Sequence, residues 1–379
     1  MKNDVKNQFL LDPDVTFLNH GSFGACPKPV FEDYQHWQKK LEQQPVLFST
    51  ETVYEQLRQS RTALGDFVGC HEQDLVFFQN PTTAVSNIIF SLELKPGDEI
   101  LMSNHEYGAL VRAWSKWGRR QQVKIVQQEV KLPVTTRENF TDNFWAGVTQ
   151  RTKVIFLSQI TSATALEFPV QSLCELAREK GILTIIDGAH VPGQMDLNLN
   201  ELDCDFYTGA CHKWLCAPKG TSFLYVKKEH QPWVRPLIYS WGKDGDDPGP
   251  SEFLQDFQWQ GTRDMAAFLT LPKVIQFFQE HIEGKRLSCK KLIRKTSAEL
   301  ARLFNTPPIH SSADWIHQMV SHPLPVNAPE DIKERLWSAY KIEIPVFQWC
   351  GQRYIRVSCN VYNTDQQVEY FLNALRSLI

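Results

Sequence analysis

No stretch of the 379 residues is apolar for long enough to span a membrane. The run from Met1 to Val15 mixes acidic residues with only a short apolar core, so no secretory leader is expected and the cytoplasm is the default location. Charge of one sign is also missing. The 40 Lys and Arg stand against 43 Asp and Glu, a formal net charge of −3, which gives no reason to expect nucleic acid or an anionic membrane as a partner. There is no C-x-x-C pair among the nine cysteines, so no zinc site and no disulfide framework is expected. They read as reduced, mostly buried thiols, and no metal is expected. Internal repeats, low-complexity tracts and long charge runs are absent too. What remains is a globular composition, 42% hydrophobic and 22% charged, at a length that suits two domains sharing a core.

The order of elements points to an α/β fold. Lys153 to Ile160 reads as a strand, Pro169 to Lys180 as an amphipathic helix stopped by Gly181, and Gly181 to Asp187 as an apolar strand. Strand, helix, strand is a βαβ unit, which implies a mostly parallel sheet. Further strands are expected at Leu75 to Phe78, Glu99 to Met102, Asp205 onward and Thr221 to Val226. From Phe268 the chain alternates helices (Leu269 to Glu280, Lys285 to Leu303, Pro329 to Tyr340) with short strands, including Tyr354 to Ser358. We therefore expect a large α/β/α domain over residues 1–265 and a smaller carboxyl-terminal α/β domain over 266–379. The turn-rich segment Ser240 to Ser251 is expected to be a surface loop near their boundary.

Chemistry concentrates in Asp205-Phe-Tyr-Thr-Gly-Ala-Cys-His-Lys-Trp-Leu-Cys-Ala-Pro-Lys-Gly220. Here His212 and Lys213 sit between aromatic and apolar neighbours, an unusual setting for lysine. In an apolar pocket beside another potential cation, an amine loses its proton near neutral pH and can condense with a carbonyl. Taken alone, the pair reads better as a solvated surface turn. Upstream, Asp187 ends a buried strand before Gly188. That is the end of a parallel sheet where ligands bind, and a carboxylate there either caps the turn or pairs with a cationic ring nitrogen.

Asp187-Gly-Ala-His190, followed by Thr208-Gly-Ala-Cys-His-Lys-Trp-Leu-Cys-Ala-Pro-Lys-Gly220, resembles the class V aminotransferase family of pyridoxal phosphate (PLP) enzymes of fold type I. The amino-terminal Leu18-Asn-His-Gly-Ser-Phe-Gly24 is similar to its isopenicillin N epimerase-like group. The resemblance covers nearly the whole chain and implies a cofactor, PLP, held by Lys213, with Asp187 on its ring nitrogen, and with His190, Thr208 and His212 around it. It places Tyr107, or less favourably His105, on the cofactor ring, and Ser162 near its 3-hydroxyl. Thr82 and Thr83 open a helix after Asn80-Pro81; locally that is either an N-cap or an anion site, and the resemblance favours the phosphate. Asn19, His20 and Gly21 become substrate contacts. Arg356, which could otherwise sit at a sheet surface, becomes the carboxylate grip. Ala210 departs from the family, where Asn or Ser is frequent, so Thr208 and His212 would carry more of the phosphate.

The resemblance further implies a homodimer with shared active sites, Thr262 reaching the phosphate of the neighbouring subunit. The substrate would be an amino acid, with reaction at Cα. Epimerisation, elimination of a β-thiol (a C–S lyase of the cystine or hercynylcysteine sulfoxide type) and transamination all start from the same step. A non-catalytic PLP-binding sensor is disfavoured, since such regulators carry a DNA-binding module and no basic patch exists here. Class V also contains cysteine desulfurases, whose loop cysteine takes up sulfur. Only Cys350 and Cys359 flank Arg356, both on short connections, so neither is expected to be catalytic.

Overall fold

The structure, a computed structural model, describes residues 5–242 and 250–379. Met1 to Asp4 and residues 243–249 of the turn-rich segment lie outside the described residues. A two-residue strand, β1 (Thr16–Phe17), precedes the central sheet. The sheet is built from β2 (Leu75–Phe78), β3 (Glu99–Ser103), β4 (Lys124–Gln128), β5 (Thr152–Ser158), β6 (Leu183–Asp187), β7 (Phe206–Ala210) and β8 (Ser222–Val226). The carboxyl-terminal part contributes β9 (Met319–Pro323), β10 (Ile342–Glu343), β11 (Val346–Trp349) and β12 (Gln352–Ser358).

The central sheet has the order β2-β8-β7-β6-β5-β3-β4. Neighbours from β7 through β4 run parallel, while β8 is antiparallel to both β7 and β2. Apart from the edge strand β4, Lys-Ile-Val-Gln-Gln, its strands are largely apolar because both faces are covered. Ile155 and Leu157 of β5 enter one core while Val154 and Phe156 enter the other, and β8 divides Phe223 and Tyr225 from Leu224 and Val226 in the same way. Between β5 and β6 runs the helix Val170–Glu179, and Gly181 follows it at φ +62°, a left-handed conformation that glycine adopts at no steric cost. Strand order reverses at β3, whose neighbours are β4 on one side and β5 on the other. A crevice therefore opens at the carboxyl ends of β3, β5 and β6, where such sheets bind ligands.

In the carboxyl-terminal part, β11, β12 and β9 form an antiparallel sheet. It is stitched to the start of the chain: β1 pairs with β10 in parallel, and Ser358 N donates to Leu18 O at 2.9 Å. These bonds bring residues 19–24 alongside the end of β12, next to Arg356.

Candidate active site

A cavity of about 460 Å³ occupies this crevice. Its wall includes Asp187 at the end of β6 and Ala189 and His190 after it, His212 and Lys213 after β7, and Ser158, Ile160 and Ser162 at and after β5. Tyr107, Leu110, Asn80 to Thr83 and the pair Ser22 and Phe23 complete it. The structure thus brings together Thr82, Thr83, Tyr107, Ser162, Asp187, His190, His212 and Lys213.

Lys213 is half-buried in the cavity wall, and desolvation lowers its pKa to about 8, with the Arg356 charge adding to the effect and Asp187 opposing it. Hydrogen bonding points the same way. The Trp214 indole N–H can only donate, and it lies 3.2 Å from His190 Nδ1, so the neutral imidazole carries its proton on Nε2. That nitrogen is 3.2 Å from Lys213 Nζ, which accepts only as a neutral amine. Burial likewise keeps His190 well below the usual imidazole range, helped by the Lys213 charge. His212 is lowered to about 4, mainly by burial; its Nδ1 donates to Thr221 O at 2.9 Å.

Asp187 stands at the last register position of β6, between Ser158 and Thr208. Its Oδ1 accepts from Ala189 N at 2.9 Å, and burial raises its pKa against the opposing pull of that bond and of Lys213. A second buried carboxylate, Glu106, was not expected from the sequence. It accepts from Ser103 Oγ at 2.5 Å and from Ser158 N and Oγ at 2.8 and 2.6 Å. Burial raises it to about 7 in spite of those bonds, and the Asp187 charge raises it further.

The helix Pro81–Ser91 begins with Asn80 as its cap: Asn80 Oδ1 accepts from Thr83 N at 2.9 Å and from Thr83 Oγ1 at 3.1 Å. Asn80 before a proline at the first helical position carries that signal in the sequence. Tyr107 is half exposed at the mouth, whereas His105 is buried behind it, both ring nitrogens engaged by Thr164 Oγ1 at 2.7 Å and Val130 O at 2.9 Å.

Other expected positions lie elsewhere. The Thr208 hydroxyl faces away from the cavity wall and donates to Phe223 O at 2.8 Å, because β8 runs beside β7. Thr262 is exposed and apart from the wall. His20 is wholly buried, its Nε2 3.0 Å from the Lys213 carbonyl and its Nδ1 2.6 Å from the Tyr362 hydroxyl, and burial lowers it to about 3. Gly21 faces Met319 and Trp214, and Asn19 Oδ1 accepts from Ser22 Oγ at 2.5 Å. It is Ser22 and Phe23 that reach the cavity. Gly24 has φ +68°, and a Cβ there would stand 2.1 Å from the His212 carbonyl oxygen, so only glycine lets this segment lie against the lysine. Arg356 is buried between Ser162 and Ser22. Its Nη1 donates to Ser162 O at 2.6 Å with Ser162 Oγ at 3.3 Å, its Nη2 to Ser22 Oγ at 2.9 Å, and its buried Nε has no partner.

An amine of lowered pKa and a buried carboxylate in the cavity wall, with the orphaned guanidinium N–H of Arg356 held by the wall residues Ser22 and Ser162, fit PLP with an amino acid. The fold and the site together define a PLP-dependent enzyme of fold type I. The pattern of the aminotransferase class-V family matches residues 24–371. The chain belongs to that family. It is 32% identical to isopenicillin N epimerase of Amycolatopsis lactamdurans, across 99% of this chain and 98% of that one. Across 97% of this chain and 84% of the relative, it is 25% identical to a probable chloroplastic L-cysteine desulfhydrase of Arabidopsis thaliana. Among solved structures, the apo cysteine desulfurase of Thermococcus onnurineus NA1 superposes with a TM-score of 0.83 at 21% identity, covering 100% of this chain and 98% of that one.

Proposed function

We propose that this enzyme moves the Cα proton of an amino acid in the manner of an isopenicillin N epimerase, with the Lys213 amine as the base. The observation that carries this is the Lys213–His190–Trp214 arrangement, in which His190 Nε2–H faces Nζ and favours its neutral form beside Asp187. In this reading Lys213 holds PLP, Asp187 pairs with its ring nitrogen, the Asn80–Thr83 turn faces its phosphate and Tyr107 lies on its ring. Bound there, PLP supplies an electron sink for negative charge at Cα. Lys213 Nζ takes the Cα proton and Arg356 orients the α-carboxylate. A second reading, elimination of a β-sulfur group, is supported by the desulfhydrase relative and begins with the same proton transfer.

We further read the chain as a cytoplasmic homodimer with domains divided at 265/266. Phe90, Leu237, Ile238, Tyr239 and Trp241 are all exposed, and Leu237 N is bonded to Asn87 Oδ1 at 2.8 Å, which places this apolar group beside the helix Pro81–Ser91. A second copy would cover it and bring its Thr262 to the phosphate. Among the described residues no helix is long and apolar enough to cross a membrane. The experiment is a panel of L- and D-amino acids in deuterated water, scoring Cα deuterium, keto acid and released thiol. Deuterium with inversion supports the first reading and thiol release the second; no Cα exchange with any amino acid defeats both.

A further inference from the structure

The turn His20–Phe23 touches both ends of the chemistry proposed above, and the role inferred for it rests on that chemistry. The four residues form one turn of helix, closed by Gly24 N on the His20 carbonyl at 2.8 Å. On one side His20 Nε2 lies 3.0 Å from the Lys213 carbonyl and 2.9 Å from Asn360 Nδ2, with Nδ1 2.6 Å from the Tyr362 hydroxyl. On the other, the Ser22 hydroxyl donates to Asn19 Oδ1 at 2.5 Å and accepts from Arg356 Nη2 at 2.9 Å. One turn of backbone therefore grips the lysine with one residue and the arginine with another.

A guanidinium has five N–H groups in a plane. Ser162 holds the Nη1 end and Ser22 holds Nη2, while Nε–H is buried and unpartnered. A carboxylate binds such a plane through two parallel N–H bonds from one edge. The edge left to it joins Nε–H with the second Nη2 proton. The Ser22 proton is committed to Asn19, so its lone pair is what remains for Arg356.

We propose that Ser22 is a substrate-positioning residue: its hydroxyl fixes Nη2 so that the Nε edge of Arg356 receives the substrate's α-carboxylate, at a set relation to Lys213. Ser22 then discriminates between amines that carry an α-carboxylate and amines that do not. Its removal weakens the first class and leaves the second alone. A merely structural turn would affect both classes equally.

The test is a titration of the PLP-loaded protein, following the visible absorbance of the cofactor, with glycine and with methylamine, the same amine without the carboxylate. In Ser22→Ala the glycine dissociation constant is expected to rise roughly tenfold, the loss of one hydrogen bond to a charged group, with methylamine unchanged. Ser22→Thr, which keeps the hydroxyl, should restore glycine binding. Should Ser22→Ala not fold, Asn19→Ala, which releases the hydroxyl, carries the same expectation. Equal weakening for both amines, no weakening for either, or no rescue by threonine overturns the assignment while the PLP reading stands. Absence of any absorbance response to either amine in the unaltered protein overturns both.

Discussion

At the scale of single residues, the account turns on protonation. With Lys213 held near pH 8, the neutral fraction of its amine falls tenfold per pH unit below that value and levels off above it. The rate at which the apoprotein captures PLP should therefore climb with pH to about 8 and then flatten; a climb that continues toward the ordinary lysine value near 10.4 would show an unperturbed amine. Asp187 acts through charge that matters most as the reaction proceeds. Asp187→Asn should fold and retain PLP yet lose roughly a hundredfold or more in turnover, measured by Cα deuterium exchange, and near-normal exchange would reduce Asp187 to a turn cap. Arg356 was legible only as a choice between sheet surface and carboxylate grip. Its burial between two serines could not be read from β12, because Ser22 lies 334 positions away.

Among the elements, local signals were readable and distant ones were not. Gly181 and the apolar β5 and β6 announced the βαβ unit and its crevice, while the helix start expected at Thr82 lies at Asn80, which caps it. The antiparallel β8 was not announced, since a strand buried on both faces has the same apolar run in either direction, and with it went the partner of the Thr208 hydroxyl. Glu106 was missed because its three donors come from two strands that only the fold makes neighbours. At Gly24, alanine would have to adopt a backbone conformation essentially confined to glycine and press on the lysine loop; Gly24→Ala should cost at least about 1–3 kcal/mol in chemical denaturation and lower PLP occupancy. The hairpin joining β11 to β12 turns on two residues, Cys350 and Gly351, at φ +46° and +79°, a tight connection with no reach. Cys359 is buried. During turnover with cysteine no persulfide should accumulate on Cys350; its detection by mass spectrometry, lost in Cys350→Ala, would move the enzyme to the desulfurases.

The whole molecule buries neutral imidazoles at its centre. Unfolded, each histidine takes up a proton near 6.5; folded, His20 does so near 3 and His105 and His212 near 4, and His190 lies well below the usual value too. Between those limits the unfolded chain binds more protons, so stability falls as pH drops through 6.5 and keeps falling toward 4. Each group contributes roughly 1.4 kcal/mol per pH unit at most. Glu106, raised to about 7, and Asp187, also raised by burial, work in the opposite direction between their folded and ordinary values, and two groups offset only part of four. Denaturation midpoints should accordingly decline steeply from pH 6 to 4, and a flat profile there would contradict the buried neutral state.

The central claim is that Lys213 carries the cofactor, and borohydride reduction of the PLP-loaded protein followed by peptide mass analysis tests it most directly. The account predicts a pyridoxyl label on Lys213 and none in Lys213→Ala. A label on any other lysine, such as the nearby Lys219, would contradict it.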